Sequence, residues 1–214
     1  MKPVLLFATL ILLLISCKNA EKTKIEAIRI DPKTLPKSIH YKGAIDTAVK
    51  YTDTDGEHII ITSEGDTYEK NYEGDRLNGI YLYAYCYKLT GGKWKLSWQM
   101  QDDTGECEED VSGGYLPKTF AVTDLNNDGQ AEVWLMYQLA CRGGVDPSAM
   151  KVIMHQGNQK YAMRGETRIV MGGKEYAGGE YKFDEAFKKG PEAFRQQAKE
   201  LWKDNLVETV GSAQ

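Results

Sequence analysis

The clearest chemical pattern in the sequence is a run of oxygen-bearing side chains near the middle of the chain. Its members are Asp124, Asn126, Asp128, Gln130 and Glu132. Counted from Asp124, acidic or amide side chains stand at positions one, three, five and nine, with a glycine at position six for a sharp turn. Calcium takes about six to eight oxygen ligands, and such loops supply them from alternate residues and one backbone carbonyl, here that of Gln130. The spacing therefore predicts a calcium site.

A second interpretation of the same loop stays open. Asp and Asn side chains also form turns at hairpin tips, where Gly129 would supply a positive φ without any metal. An EF-hand is not expected, because Leu135 stands where that motif needs glutamate and the flanking residues are strand-like. A similar but incomplete pattern begins at Asp53, with Tyr51 where the first ligand should stand, and we expect only a turn there.

The first residues resemble a bacterial lipoprotein signal. Lys2 precedes an apolar run from Val4 to Ile15, and Ser16 precedes Cys17. The run is short for a membrane span, and a plain secretory signal has no use for the cysteine. We expect residues 1–16 to be removed and Cys17 to be acylated, which would hold the protein at the outer membrane, facing the periplasm or the cell surface.

Composition agrees with one ordinary folded domain outside the cytoplasm. The chain has 27 basic and 31 acidic residues, and removing residues 1–16 takes away only Lys2, so the mature net charge is −5. This charge argues against nucleic acid as a partner. We predict a lipidated tether over residues 17–38, followed by a single β-rich domain over residues 39–210.

Three cysteines remain after Cys17. We predict a disulfide between Cys107 and Cys141, because both stand at expected strand ends, whereas Cys86 lies within a strand on a core face. A catalytic thiol is not expected, because no basic residue evidently activates any of these cysteines. Cys107 also lies in an acidic run, residues 102–110, which is either a solvated surface or a source of additional metal ligands.

Alternating side chains predict antiparallel β structure over most of the domain. Residues 80–101 form the clearest hairpin, turning at Gly91-Gly92, and similar hairpins are expected at residues 59–72 and 151–168. The period changes after Pro191, which predicts one C-terminal helix at about residues 191–207. The fold class is therefore mainly β, an antiparallel sheet of hairpins, either propeller-like or a sandwich fragment, with one C-terminal α-helix.

Aromatic and histidine residues give weaker functional signals. The tyrosines at 81, 83, 85 and 87, with Trp94 and Trp98, could form a platform for sugar rings, although packing against a neighbouring layer is the more ordinary role. The three histidines lie far apart in the sequence. No nucleophile elbow, zinc motif, phosphate loop or dinucleotide fingerprint occurs, so we assign no catalytic residue.

Several stretches resemble a family of Bacteroidota lipoproteins labelled as surface polysaccharide biosynthesis proteins. The resemblance rests on residues 43–57, on residues 120–129, on Cys107 and Cys141, and on residues 154–162 and 179–181 before the helix. The 124–132 loop itself is similar to the calcium loops of FG-GAP and VCBS repeats. The resemblance implies a role in making or displaying lipopolysaccharide, and it carries no catalytic residues.

Two functions of different classes follow as expectations. The first is a non-catalytic accessory or binding lipoprotein of the envelope, anchored to the membrane by its lipid, with polysaccharide or envelope assembly proteins as partners. The second is an envelope enzyme that acts on glycans through paired carboxylates, drawn from residues 102–110 or from near Glu132. A glycosidase needs two such groups about 5 to 10 Å apart across a cleft.

Overall fold

The computed structural model describes residues 25–65, 68–72 and 75–209. The predicted signal peptide, Cys17 and the first part of the predicted tether lie outside these residues. The described part is mainly β and antiparallel, as predicted. None of its helices is long and apolar enough to cross a membrane.

The strands follow one another closely along the chain. In order they are β1 (Ile28–Arg29), β2 (Ala44–Asp53), β3 (Gly56–Glu64), β4 (Tyr68–Tyr72), β5 (Asp75–Gly79), β6 (Tyr81–Thr90), β7 (Lys93–Asp103), β8 (Asp110–Tyr115), β9 (Ala121–Thr123), β10 (Glu132–Arg142), β11 (Ala149–Gln156), β12 (Gln159–Glu166), β13 (Arg168–Met171), β14 (Lys174–Gly178), β15 (Tyr181–Phe183) and β16 (Val207–Thr209). The helices are a 3₁₀ turn (Pro32–Thr34), α1 (Glu185–Lys189) and α2 (Glu192–Asp204).

Two antiparallel sheets pack face to face as a sandwich. The first sheet has the order β1-β2-β3-β6-β7, and the second has the order β15-β12-β11-β10-β8, with β9 also paired to β10. Alternate residues of β6 and β10 point into the space between the sheets, so that Leu82 and Ala84 meet Val133 and Leu135 in one apolar core. The alternation that predicted β6 thus also identified its core face.

The second sheet buries its other face under the helices. Phe194, Ala198 and Trp202 form the apolar stripe of α2 and pack on Trp134 and Met150, all of them at most 2% exposed. The sequence placed this helix correctly. The helix has 13 residues. Apolar residues three or four positions apart therefore form one stripe along most of its length, and this stripe faces the sheet.

The outer face of the first sheet is covered by the segment that precedes β2. Strand β1 pairs with β2, and Ile30 and Leu35 pack on the sheet with the buried side chain of Ile39. Part of the segment predicted as a tether therefore belongs to the fold, because its few apolar residues suffice to cover this face. Its charged composition had suggested a solvated linker.

The predicted hairpin at residues 59–72 does not form. Strand β3 pairs with β2 and β6, whereas β4 pairs with β5 in a separate two-stranded sheet. The turn at Thr54-Asp55 joins β2 to β3, so the incomplete pattern beginning at Asp53 is a turn, as expected. The other two predicted hairpins are β6–β7, turning at Gly91-Gly92, and β11–β12, turning at Gly157-Asn158.

A disulfide joins Cys107 to Cys141, with the Cα atoms 5.7 Å apart. Cys107 lies in the connection from β7 to β8 and also bridges Asn78 of β5. Cys141 lies near the end of β10 and pairs with Val111. The bond therefore ties the second sheet to a connection that leads from the first.

Candidate functional site at one end of the sandwich

The 124–132 loop lies against the β2–β3 turn at one end of the sandwich. The backbone N–H and the hydroxyl of Thr54 both donate to the carbonyl of Gly129, at 3.0 and 2.9 Å. The N–H of Ala131 donates to a carboxylate oxygen of Asp53 at 3.0 Å. Gly129 has a φ of +83°, and a Cβ there would lie 2.6 Å from a methyl carbon of Thr54. Glycine is therefore required twice, for conformation and for contact.

Three of the five predicted metal ligands lie together within the loop. The carboxylate of Asp124 accepts hydrogen bonds from the N–H groups of Asp128 and Gly129, at 3.1 and 3.2 Å. The amide of Asn126 donates to Asp128 at 2.7 Å and accepts from the Asp128 N–H at 3.2 Å. These are the side-chain turns of the metal-free interpretation, and they also gather the oxygens that a cation would use.

The other two predicted ligands have different surroundings. Glu132 is fully buried and accepts hydrogen bonds from the hydroxyl of Thr123 at 2.7 Å and from the N–H of Leu125 at 2.8 Å. Burial raises the pKa of this carboxyl, although the hydrogen bonds oppose the shift. Gln130 lines a neighbouring cavity. Among the described residues, no group of three or more His, Cys, Asp or Glu side chains is arranged to hold a metal.

A cavity of about 480 Å³ opens between the two sheets beside this loop. Its deep part is formed by buried residues of β2, β3, β6, β10 and β11, and its mouth by exposed polar residues of the turns. The lining includes the charged or titratable residues Asp53, Asp55, His58, Cys86, Lys88 and His155, the ring of Trp98, and the amide residues Gln130, Gln156, Asn158 and Gln159.

The cavity floor brings together a thiol, an imidazole and a carboxylate. The sulfur of Cys86 lies 3.8 Å from Nδ1 of His58, and Nε2 of the same ring lies 3.2 Å from Asp53. The ring of Tyr51 stacks on that of His58, with centroids 4.8 Å apart. Burial raises the pKa of Asp53, but its contacts with His58 and with the N–H of Ala131 outweigh burial and leave the pKa below its usual value.

This order of groups is that of a cysteine hydrolase, but the surroundings oppose nucleophilic chemistry. Cys86 is only 2% exposed, and burial raises the pKa of its thiol to about 12. A reactive cysteine needs a lowered pKa and an accessible sulfur. The arrangement keeps the thiol protonated, so the geometry favours binding over covalent catalysis.

The opposite wall of the cavity carries a second histidine. The ring of His155 stacks on Trp98, with centroids 4.0 Å apart and planes 12° apart. His155 is 5% exposed, and neither of its ring nitrogens has a hydrogen-bond partner within the part of the chain that the structure describes. Burial, and then the charge of Lys160, lower the pKa of this ring to about 4, so it is neutral at physiological pH.

Contacts between loops frame the cavity mouth. The amide of Gln156 donates to both carboxylate oxygens of Asp128, at 3.1 and 2.9 Å, which joins the mouth to the 124–132 loop. On another side, the hydroxyl of Ser97 donates to Asn158 at 3.2 Å.

The register between β6 and β7 shifts at Ser97, so this residue has no cross-strand partner in β6. A local irregularity of this kind re-aims neighbouring side chains.

The same register shift corrects one sequence expectation. Trp94, Leu96, Trp98 and Met100 alternate in the sequence, a pattern that favours one shared face of β7. Instead, Trp98 and Met100 point between the sheets, Trp94 packs on the outer face, and Leu96 is exposed. Strict alternation fails because the extra residue reverses the faces.

The predicted tyrosine platform has the ordinary packing role. The four tyrosines of β6 lie on the outer face of the first sheet. The hydroxyl of Tyr87 accepts from the N–H of His40 at 3.2 Å, and that of Tyr85 accepts from Lys42, also at 3.2 Å. The segment before β2 therefore covers much of this row.

The acidic run contributes one partly buried polar contact through Asp102, whereas Glu108, Glu109 and Asp110 are exposed at the surface. Asp102 accepts hydrogen bonds from the hydroxyl of Tyr137 at 2.6 Å and from Lys151 at 2.5 Å. Burial raises the pKa of Asp102, but these contacts outweigh it and lower the pKa overall.

Sequence reasoning missed the histidines of the cavity. His58 and His155 are far apart along the chain, and their spacing indicates no motif. The available signal was their position in the strand alternation. His58 lies two residues from Ile60 and His155 two residues from Ile153, so each histidine shares a strand face with a core isoleucine. A polar residue on a core face is an informative exception. No protein-family profile, curated protein or solved structure matches this chain.

Proposed function

We propose that this chain is a lipid-anchored binding protein of the cell envelope, an accessory without catalytic activity that supports the assembly or display of surface polysaccharide. The cavity at the end of the sandwich carries this proposal. It combines an aromatic ring, Trp98, with the amide side chains of Gln130, Gln156, Asn158 and Gln159. Aromatic faces and amide groups together suit sugars, which have apolar ring faces and hydroxyl edges.

Two features support a location outside the cytoplasm. Disulfides persist in oxidising compartments, and the bond between Cys107 and Cys141 fits one. The sequence around Cys17 has the form of a lipoprotein signal. Together they favour an envelope protein tethered at its N-terminus.

Calcium is part of the proposal as a structural ion. Asp124, Asn126 and Asp128 would hold it, with the carbonyl of Gln130 as a further ligand. The loop forms one side of the cavity mouth through Gln156, so an ion bound there would stiffen the mouth. Calcium would supply no reaction chemistry in this arrangement.

Glycan hydrolysis by paired carboxylates has weaker support. Asp102 is held by Tyr137 and Lys151, and Glu132 by Thr123 and the backbone of Leu125. The oxygens of these two carboxylates are already hydrogen-bonded within the protein, so they are poorly placed to act as the general acid and the nucleophile of a glycosidase. The proposal therefore gives the cavity a binding function.

The test is the lipopolysaccharide profile of a strain that lacks the gene. We expect the long-chain ladder on a gel to weaken or disappear and to return with the wild-type gene. Complementation with the Asp124→Ala/Asp128→Ala variant should restore it less well, whereas Glu175→Ala, at an exposed surface ion pair, serves as the matched control. An unchanged ladder in the deletion strain would contradict the polysaccharide role.

A further inference from the structure

Two histidines of the cavity have buried ring nitrogens without a hydrogen bond among the described residues: both nitrogens of His155, and Nε2 of His58, which lies 3.2 Å from Asp53. Buried polar groups almost always have partners, and leaving one without costs about 1–3 kcal/mol. Both nitrogens of the His155 ring are buried without a partner among the described residues. A protein retains such a defect most readily where a bound molecule removes it.

The protonation state of the ring defines what that molecule must offer. A neutral imidazole presents one N–H donor and one lone-pair acceptor. An ammonium group offers only donors, and a carboxylate or phosphate ester offers mainly acceptors. A hydroxyl group does both, so a molecule with several hydroxyl groups satisfies both nitrogens.

The charges around the cavity also disfavour an anion. Asp53 and Asp55 line it, and Lys88 is its only lining lysine or arginine among the described residues. Lys88 is already paired with Asp55 at 2.6 Å. At the floor, an anionic ligand would therefore meet the carboxylate of Asp53, whose partners are His58 and the N–H of Ala131.

We propose that the cavity is a binding site for an uncharged, hydroxyl-rich ligand such as a sugar ring, with His155 as its central hydrogen-bonding group and Trp98 as its stacking surface. This inference rests on the proposed function, which it deepens by locating the sugar. In the present arrangement Trp98 lies flat on His155 and the nitrogens have no exposed surface. Ligand entry therefore moves the partly buried Trp98 ring, next to the irregularity at Ser97.

The experiment measures direct binding to the purified full-length lipoprotein in detergent. The probes are glucose, galactose, mannose and N-acetylglucosamine, with glucuronate as the anionic comparison. Binding of each probe is measured by calorimetry and by the change in tryptophan fluorescence. We expect at least one neutral sugar to bind and to change the fluorescence, and glucuronate to bind more weakly. Replacing Trp98 by Phe should remove most of the fluorescence change.

His155→Phe is the decisive variant, because it keeps the aromatic ring and removes both nitrogens. We expect it to weaken sugar binding by about tenfold or more, the loss expected for one or two hydrogen bonds, while His155→Gln, which retains a donor and an acceptor, keeps more affinity. His40→Phe, at the exposed third histidine, is the matched control. Melting curves report whether each variant folds.

The outcomes separate this inference from the proposed function. Absence of binding by all four neutral sugars, or unchanged binding in a folded His155→Phe variant, would overturn the inference even if the deletion strain lost its lipopolysaccharide ladder. The opposite combination is sugar binding by the purified protein that depends on His155, together with an unchanged ladder in the deletion strain. This result would uphold the binding site and contradict the role in polysaccharide assembly.

Discussion

His155 shows how one residue couples stability to pH in this fold. Its ring is neutral because burial lowers its pKa from 6.5 to about 4. The unfolded chain would bind a proton at the ordinary pKa. The folded state therefore excludes a proton that the unfolded state accepts, and the protein becomes less stable as the pH falls between these two values.

The first prediction follows from this difference. As the pH is lowered from 7 to 4, the wild type should lose up to about 3 kcal/mol of unfolding free energy more than His155→Phe does. The loss should begin near pH 6.5 and level off below pH 4. Urea unfolding of both proteins at several pH values measures it.

The comparison with the variant is needed because other groups titrate in acid. Asp53, Asp102 and Glu208 have lowered pKa values and also destabilise the fold when protonated. They are present in both proteins, so their contributions largely cancel in the difference. Parallel pH profiles for the two proteins would show that His155 is protonated normally in the fold.

At the level of elements, the sequence predicted individual strands, turns and the helix better than it predicted which strands pair with each other. Alternation in β6 and the Gly91-Gly92 turn identified a hairpin and the two faces of β6, but the faces of β7 reverse at the irregularity beside Ser97. Helix α2 was equally clear, because its apolar stripe and Pro191 are local signals. The partner of β3 was not predictable from alternation, because consecutive residues of this strand are buried on both of its faces and such a strand fits beside either neighbour.

The candidate site was predictable only where it is local. The 124–132 loop has its ligand types within one turn, so its spacing is visible in the sequence. The cavity depends on sheet packing that brings His58 of β3 opposite His155 of β11. The irregularity at Ser97, which turns Trp98 inward, also has no sequence signature that we could recognise.

The loop carries the second prediction. Wild-type protein titrated with calcium should release or absorb heat and melt at a higher temperature, because an ion that binds only the folded state stabilises it. Asp124→Ala/Asp128→Ala should abolish both effects, since it removes two of the three side-chain ligands. Calorimetry and thermal melts, starting from protein freed of calcium by a chelator, measure the heat and the change in melting temperature.

A carboxylate in the neighbouring turn provides the control for that experiment. Asp55→Asn removes a charge near the loop but none of its predicted ligands, and it should leave calcium binding nearly unchanged. If wild-type protein gives neither heat nor a change in melting temperature, the loop is a metal-free turn, and the hydrogen bonds of Asp124 and Asn126 are its whole role.

At the scale of the whole molecule, stability depends on holding two sheets and their outer layers together. The cavity opens the sandwich at one end, where apolar contact is replaced by polar side chains. The six-residue connection from β7 to β8, residues 104–109, has little apolar surface of its own and is acidic around Cys107. Its attachment to β10 through the disulfide therefore replaces packing that its composition cannot supply.

The last prediction concerns that bond. Replacing Cys107 and Cys141 by serine together should lower the unfolding free energy by about 2–4 kcal/mol, because the bond closes a loop between residues separated by 34 positions and so restricts the unfolded chain. Reductant should bring the wild type down to the same value and leave the double variant unchanged, which excludes an effect of reductant on Cys86. Guanidinium unfolding with and without reductant measures these values. Equal stability of the oxidised and reduced wild type would mean that hydrogen bonds such as those between Asn78 and Cys107 already hold the connection, and the disulfide would then lose its weight as an argument for an oxidising compartment.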